Sequence, residues 1–167
     1  MILSRRQFIQ TGLAGSLLLS LAGWLNAAGA RRLSAAEREM LAALCNALLD
    51  GALPKDAQQR RQLVALTVDG IATAVAGLSL ASQKELGELF GLLVLAPARL
   101  LLAGVGKPWR EASVAEVSEF LQDWRSSRLG LLQSAYGALH DLAFGAWYAR
   151  ADTWEAIAYP GPPRGYF

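Results

Sequence analysis

The chain is poor in the residues that most chemistry needs. It has one cysteine, Cys45, and one histidine, His140. A single cysteine excludes an intrachain disulfide, a Cys-x-x-Cys-His haem site and a cysteine–histidine zinc site, all of which need more ligands. Charge of one sign is also lacking. Arg5 and Arg6 account for the whole formal charge of +2, because no other charged residue precedes Arg31. Residues 31–167 are therefore neutral and carry no electrostatic footprint for nucleic acid. Strand signals are missing as well: no stretch alternates apolar and polar residues over strand length, and no Asn-Gly or Asp-Gly turn joins two β-branched runs.

Apolar residues are plentiful, at 53% of 167 residues. One domain of this length either buries that surface well or offers part of it to a partner. Part of the excess lies at the N-terminus. Ser4-Arg5-Arg6-Gln7-Phe8-Ile9 resembles the twin-arginine export signal at each of its defining positions. An uncharged run from Thr11 to Leu25 follows, at about 15 residues short of the roughly 20 needed to span a bilayer. Ala28-Gly29-Ala30 then places small residues where a signal peptidase reads, so cleavage is expected before Arg31, with a retained anchor as the alternative. Residues 1–30 are thus expected to be a signal peptide and residues 31–167 the exported domain. The motif implies recognition by the twin-arginine translocase and a periplasmic location.

Downstream the chain reads as helices. Ser34-x-x-Glu37, Ser82-x-x-Glu85 and Ser113-x-x-Glu116 each have the form of a capping box, in which serine and glutamate satisfy each other's backbone N–H groups. Apolar residues recur at helical spacing after each: Met40, Leu41, Leu44, Leu48 and Leu49; then Leu86, Leu89, Phe90 and Leu93; then Val117, Phe120, Leu121 and Trp124. Between the first two boxes, the polar run Lys55 to Gln62 leads into Leu63, Leu66, Ile71 and Val75, a further helix weakened by Gly70 and Gly77. Pro97 is expected to kink or end the third helix, with Leu100 to Ala103 continuing beyond it and a loop from Gly104 to Pro108. A last helix is expected from about Ser127 to Ala149. It carries Leu129, Leu132, Tyr136, Leu139 and Ala143, and the small residues Gly130, Ser134 and Ala138, spaced by four, would admit a neighbouring helix. The fold class that follows is all-α: a single compact helical domain of about four or five helices.

Candidate reactive groups are few. Cys45 has Leu41, Leu44 and Leu48 at helical spacing, so it reads as a small core residue. His140 and Asp141 are consecutive. Helix neighbours point about 100° apart, so the two are not expected to face each other as an acid/base pair. His140 is read as a core or interface residue, and Ser126-Ser127 as a cap. Gly161-Pro162-Pro163-Arg164-Gly165 lacks the flanking strand and helix of a dinucleotide site. No catalytic, cofactor-binding or metal-binding residue is expected in this chain.

The C-terminus changes character. Asp152 to Glu155 reads as a short capped turn. The irregular tail, residues 151–167, then holds three prolines with Trp154, Tyr159, Tyr166 and Phe167. Ala146-Trp147-Tyr148, Trp154-Glu155 and Tyr159-Pro160-Gly161-Pro162 together resemble the C-terminal signature of the gluconate 2-dehydrogenase subunit 3 family. Leu33 to Arg38 resembles that family's first helix. Ala146-Trp147 and Ala158 depart from the usual Gly-Tyr and glycine.

The resemblance implies a non-catalytic small subunit. Its partner would be a large flavoprotein dehydrogenase of the glucose-methanol-choline type, which would hold the FAD, with a c-type cytochrome as a further partner. Export as a folded pair would explain why a chain without a cofactor motif carries a twin-arginine signal. The partner would keep the complex periplasmic or peripheral to the inner membrane. Trp147, Tyr148, Trp154, Tyr159, Pro160, Gly161 and Pro162 are the expected partner-binding residues. A released assembly chaperone or a free-standing periplasmic helical protein is the alternative, and stoichiometry with the flavoprotein separates them.

Overall fold

The computed structural model describes residues 32–154 and Pro160. The export motif (Ser4, Arg5, Arg6, Phe8, Ile9), the cleavage residues Ala28 and Ala30, and the tail residues Tyr159, Gly161 and Pro162 lie outside the described residues.

Helix α1 (Ala35–Leu48) begins where its capping box demands. Ser34 Oγ accepts from the Glu37 N–H at 3.3 Å, and Glu37 accepts from the Ser34 N–H at 2.8 Å. Met40, Leu41, Leu44 and Cys45 are fully buried. The helix is the hub of the domain, packing against four of the other five helices. Arg60 ties its end to the next helix. That guanidinium donates to the Asn46 carbonyl at 2.9 Å and to Asp50 at 2.6 Å, satisfying one of the carbonyls that a helix end leaves open.

Helix α2 (Ala57–Ala76) is capped by Asp56, whose carboxylate accepts from the N–H groups of Gln58 and Gln59. Its buried stripe is Val64, Thr67, Val68, Ile71 and Val75. Leu66, one of the apolar residues that marked this helix, is exposed: it lies two residues from Val64 and Val68, about 200° round the helix. Gly70 has a definite use. A Cβ there would sit 3.1 Å from Ala146 Cβ, so its absence lets α2 pack closely on the last helix.

Helix α3 (Leu80–Val94) is capped three residues before the box expected at Ser82. The cap is Ser79, whose hydroxyl accepts from the Ser82 N–H at 3.2 Å, so Ser82 occupies the third helical position. The chain then breaks at Leu95, and α4 (Ala96–Ala103) leaves at 92° to α3. Pro97 causes this. It has no N–H for the Leu93 carbonyl four residues back, but near the start of a new helix none is required. The Trp109 indole N–H donates to that Leu93 carbonyl instead, at 2.7 Å. Of the kink or end expected at Pro97, the end is what occurs, and the count among the described residues is six α-helices.

Gly104 ends α4 in the left-handed region, with φ 66°, as L side chains rarely do. A short 3-10 turn (Trp109–Glu111) leads to α5 (Val114–Arg125), which is capped by Ser113 and Glu116 and buries Val117, Phe120, Leu121 and Trp124 as expected. The Trp124 indole donates to the Leu102 carbonyl at 2.8 Å, binding the end of α4 to the end of α5. Trp109, Phe120 and Trp124 form an aromatic cluster, with Trp124 edge-on to Phe120 at 4.8 Å.

Helix α6 (Gly130–Tyr148) starts later than expected. Leu129 takes the N-cap position without a side-chain hydrogen bond, so Ser126 and Ser127 do not cap it. Ser127 Oγ instead accepts from the Leu129 N–H at 3.1 Å. The buried face is Leu139, Ala143, Ala146 and Trp147; Leu129 and Ser134 are exposed. The row Gly130, Ser134, Ala138 is therefore not the helix seam, which runs through Gly70 and Ala146. The fold is all-α, and among the described residues there is no strand.

Candidate docking surface

Along α6, Tyr136, His140, Phe144 and Tyr148 recur every four residues, which places them one above another on a helix face. Their ring centroids lie 5.7, 4.4 and 6.0 Å apart in succession, with His140 stacked on Phe144. The row is half-buried over the first three rings and exposed at Tyr148. A 3-10 turn (Ala151–Thr153) then folds the chain back. Thr153 donates its hydroxyl to the Trp147 and Arg150 carbonyls, and the Arg150 guanidinium pairs with Asp152. The turn starts one residue before the Asp152 expected to open it, and its N-cap, Arg150, makes no side-chain cap hydrogen bond; it delivers Trp154 to the end of α6. There the indole donates to the Tyr148 carbonyl at 2.7 Å. Trp154 is thus tied to the backbone at the end of the ladder's helix.

Of the expected partner-binding residues, Tyr148 is exposed, Trp154 is half-buried and Pro160 is exposed. Trp147 is 3% exposed and belongs to the core cluster. Its ring is used in the chain's own packing, so it drops out of the docking set. The ladder itself was missed from sequence, although the spacing of four from Tyr136 to Tyr148 was there to be seen.

The other candidates resolve simply. Cys45 is buried in the core cluster, and burial pushes its thiol up to about 12, away from the reactive thiolate form. His140 and Asp141 do meet, contrary to the expectation from their adjacency: Nδ1 lies 3.1 Å from Asp141 Oδ1. The backbone positions diverge, but both side chains lie toward solvent and bend together there, with Asp141 83% exposed. Among the described residues, no three His, Cys, Asp or Glu side chains converge to hold a metal ion. A groove of about 280 Å³ between α1 and the Trp109 turn, edged by Glu39, Asn46 and Arg110, is smaller than the roughly 300–1,000 Å³ of ligand pockets.

No family model, curated protein or solved structure matches this chain.

Proposed function

We propose that the chain is a non-catalytic small subunit. It escorts a glucose-methanol-choline-type flavin-dependent dehydrogenase through the twin-arginine route and stays bound to it. The observation that carries this reading is the union, in one chain, of the Ser4 to Ile9 export motif with the Trp154 and Tyr159-Pro160-Gly161-Pro162 signature. The aromatic ladder supports it, because rings are the side chains that most often dominate protein interfaces. FAD belongs to the large subunit, and a c-type cytochrome is the further partner.

The test is Arg5→Lys with Arg6→Lys, which keeps the charge but loses the planar guanidinium. Both this chain and the flavoprotein are expected to remain in the cytoplasm, detected by fractionation and by the flavin absorbance of each fraction. A flavoprotein that reaches the periplasm without this chain would refute the escort role.

A further inference from the structure

A second exposed apolar region lies at the opposite end of the chemistry. From Leu95 to Gly106 the only charged residue is Arg99, and it is turned inward, 8% exposed, with Nε donating to the Val105 carbonyl at 3.0 Å. The outer surface of α4 is left without a charge and carries Leu95, Leu100, Leu101 and Leu102, with Leu101 82% exposed. Because Trp124 holds the Leu102 carbonyl, this corner sits at the same end of the bundle as the α5–α6 turn. That turn adds Leu129, and the first turn of α6 adds Leu131, both more than half exposed at 65% and 57%. Arg125 and Arg128 flank it, exposed and without an ion pair among the described residues. The nearest carboxylate on α5, Asp123, is two residues from Arg125 and so points about 200° away.

We infer that this leucine corner is a membrane-contact surface that seats on anionic phospholipid. Its composition selects lipid over protein. Interface hot spots are rich in Trp, Tyr and Arg and poor in leucine, and the exposed corner has no ring. Surface-lying helices combine leucine with a rim of arginine or lysine, as here. The unpaired arginines are complementary to phosphate headgroups. Geometry sets the depth. Helix α4 has eight residues and is about 12 Å long, against a hydrocarbon core of about 30 Å. The α3–α4 pair is apolar and long enough in sum, but it is bent by 92° and buries Phe90 and Leu93 in the core. The corner therefore lies on a bilayer and does not cross it.

The test uses the full chain, whose apolar N-terminal run would itself tether it to vesicles, so the readout must be local. Leu101→Cys and Gln59→Cys, the second on the exposed start of α2, are each labelled with a bimane; buried Cys45 stays unlabelled. Circular dichroism confirms that both variants fold. Vesicles of phosphatidylglycerol or phosphatidylcholine carry nitroxide-labelled acyl chains. The Leu101 label is expected to be quenched in phosphatidylglycerol and the Gln59 label to be spared. Arg125→Glu with Arg128→Glu is expected to weaken the apparent lipid affinity of the Leu101 label about tenfold or more. Equal quenching at both positions overturns the proposal. So does quenching at Leu101 that ignores headgroup charge and the arginine reversal. A Leu101 label that becomes shielded without vesicles as protein concentration rises gives the face to a second copy instead.

Discussion

The two exposed apolar regions of this domain are built from different residues and are held in different ways. The leucine corner at α4 has no ring on its outer face, but it is clamped from behind by a buried indole. The ladder on α6 is nearly all ring, and its side chains support one another along a single helix. A surface made of flexible aliphatic chains on a fixed backbone suits a fluid, non-directional neighbour. A surface of stacked, pre-ordered rings loses little entropy on docking and suits a shaped protein partner. Exposure alone would have grouped them together; what lies behind each surface separates them.

The clamp can be broken first, and with the largest effect. Trp124 is 3% exposed and packs edge-on to Phe120. Trp124→Ala is expected to cost about 3–5 kcal/mol in urea unfolding, through the cavity left and the lost partner of the Leu102 carbonyl. Trp124→Phe keeps most of the volume and is expected to cost about 1–2 kcal/mol, chiefly for the open carbonyl. If both cost less than mutations on the ladder, the corner is not clamped and the contrast between the regions fails.

The ladder should show the reverse balance. Tyr148→Ala and Trp154→Ala remove rings that are exposed and half-buried, so each is expected to cost about 1 kcal/mol or less in stability. On the proposed docking role, their effect on retention of the flavoprotein should be far larger, about 2 kcal/mol each, or roughly 30-fold in dissociation constant. Affinity purification followed by surface binding measures this. Full retention with a lowered melting temperature would make the ladder internal packing and remove the protein-docking half of the comparison.

The two surfaces differ in how legible they are: the ladder's spacing of four stands in the sequence, whereas the leucine corner depends on links that leave no local mark. Helices at Ser34 and Ser113 were legible because a capping box is complete within four residues. The start of α3 was placed late because Ser79 caps without the glutamate that makes such a box recognisable. Longer links leave no local mark. The indoles of Trp109, Trp124 and Trp154 each donate to a carbonyl in the last turns of a helix, at Leu93, Leu102 and Tyr148. The first two reach across 16 and 22 residues of sequence. No periodicity reveals which carbonyl Pro97 leaves open or which ring will cover it. Arg99 shows the same limit. In sequence it breaks an apolar run, while in the fold it turns inward and leaves the run's outer surface uncharged. Leu66 and Leu129 carry no local sign that they lie off the packing face, which is known only once the helices are assembled.

The smallest effect lies at the edge of the leucine corner, where it can be read against pH. Lys107 closes the loop after α4 and bonds Glu116 at 3.0 Å, so the capping box of α5 also tethers that loop. The Ser113 N–H, the Ser113 hydroxyl and then Lys107 hold the Glu116 carboxyl down at about 2, from an ordinary 4.5. A carboxylate with a lowered value in the folded chain binds its proton less readily than in the unfolded chain. Its contribution is therefore complete above about pH 4.5 and is lost as pH falls toward 2. Glu116→Gln removes that dependence while keeping the size of the side chain. The melting temperatures of the variant and the parent should differ most above pH 4.5 and converge near pH 2, with high salt narrowing the gap by screening the exposed pair. Lys107→Ala should reproduce only a minor part of the difference, because the lysine is the weaker influence. A gap that persists unchanged at pH 2 would mean that Glu116 acts through packing, and that the loop beside the leucine corner is held by something other than this charge.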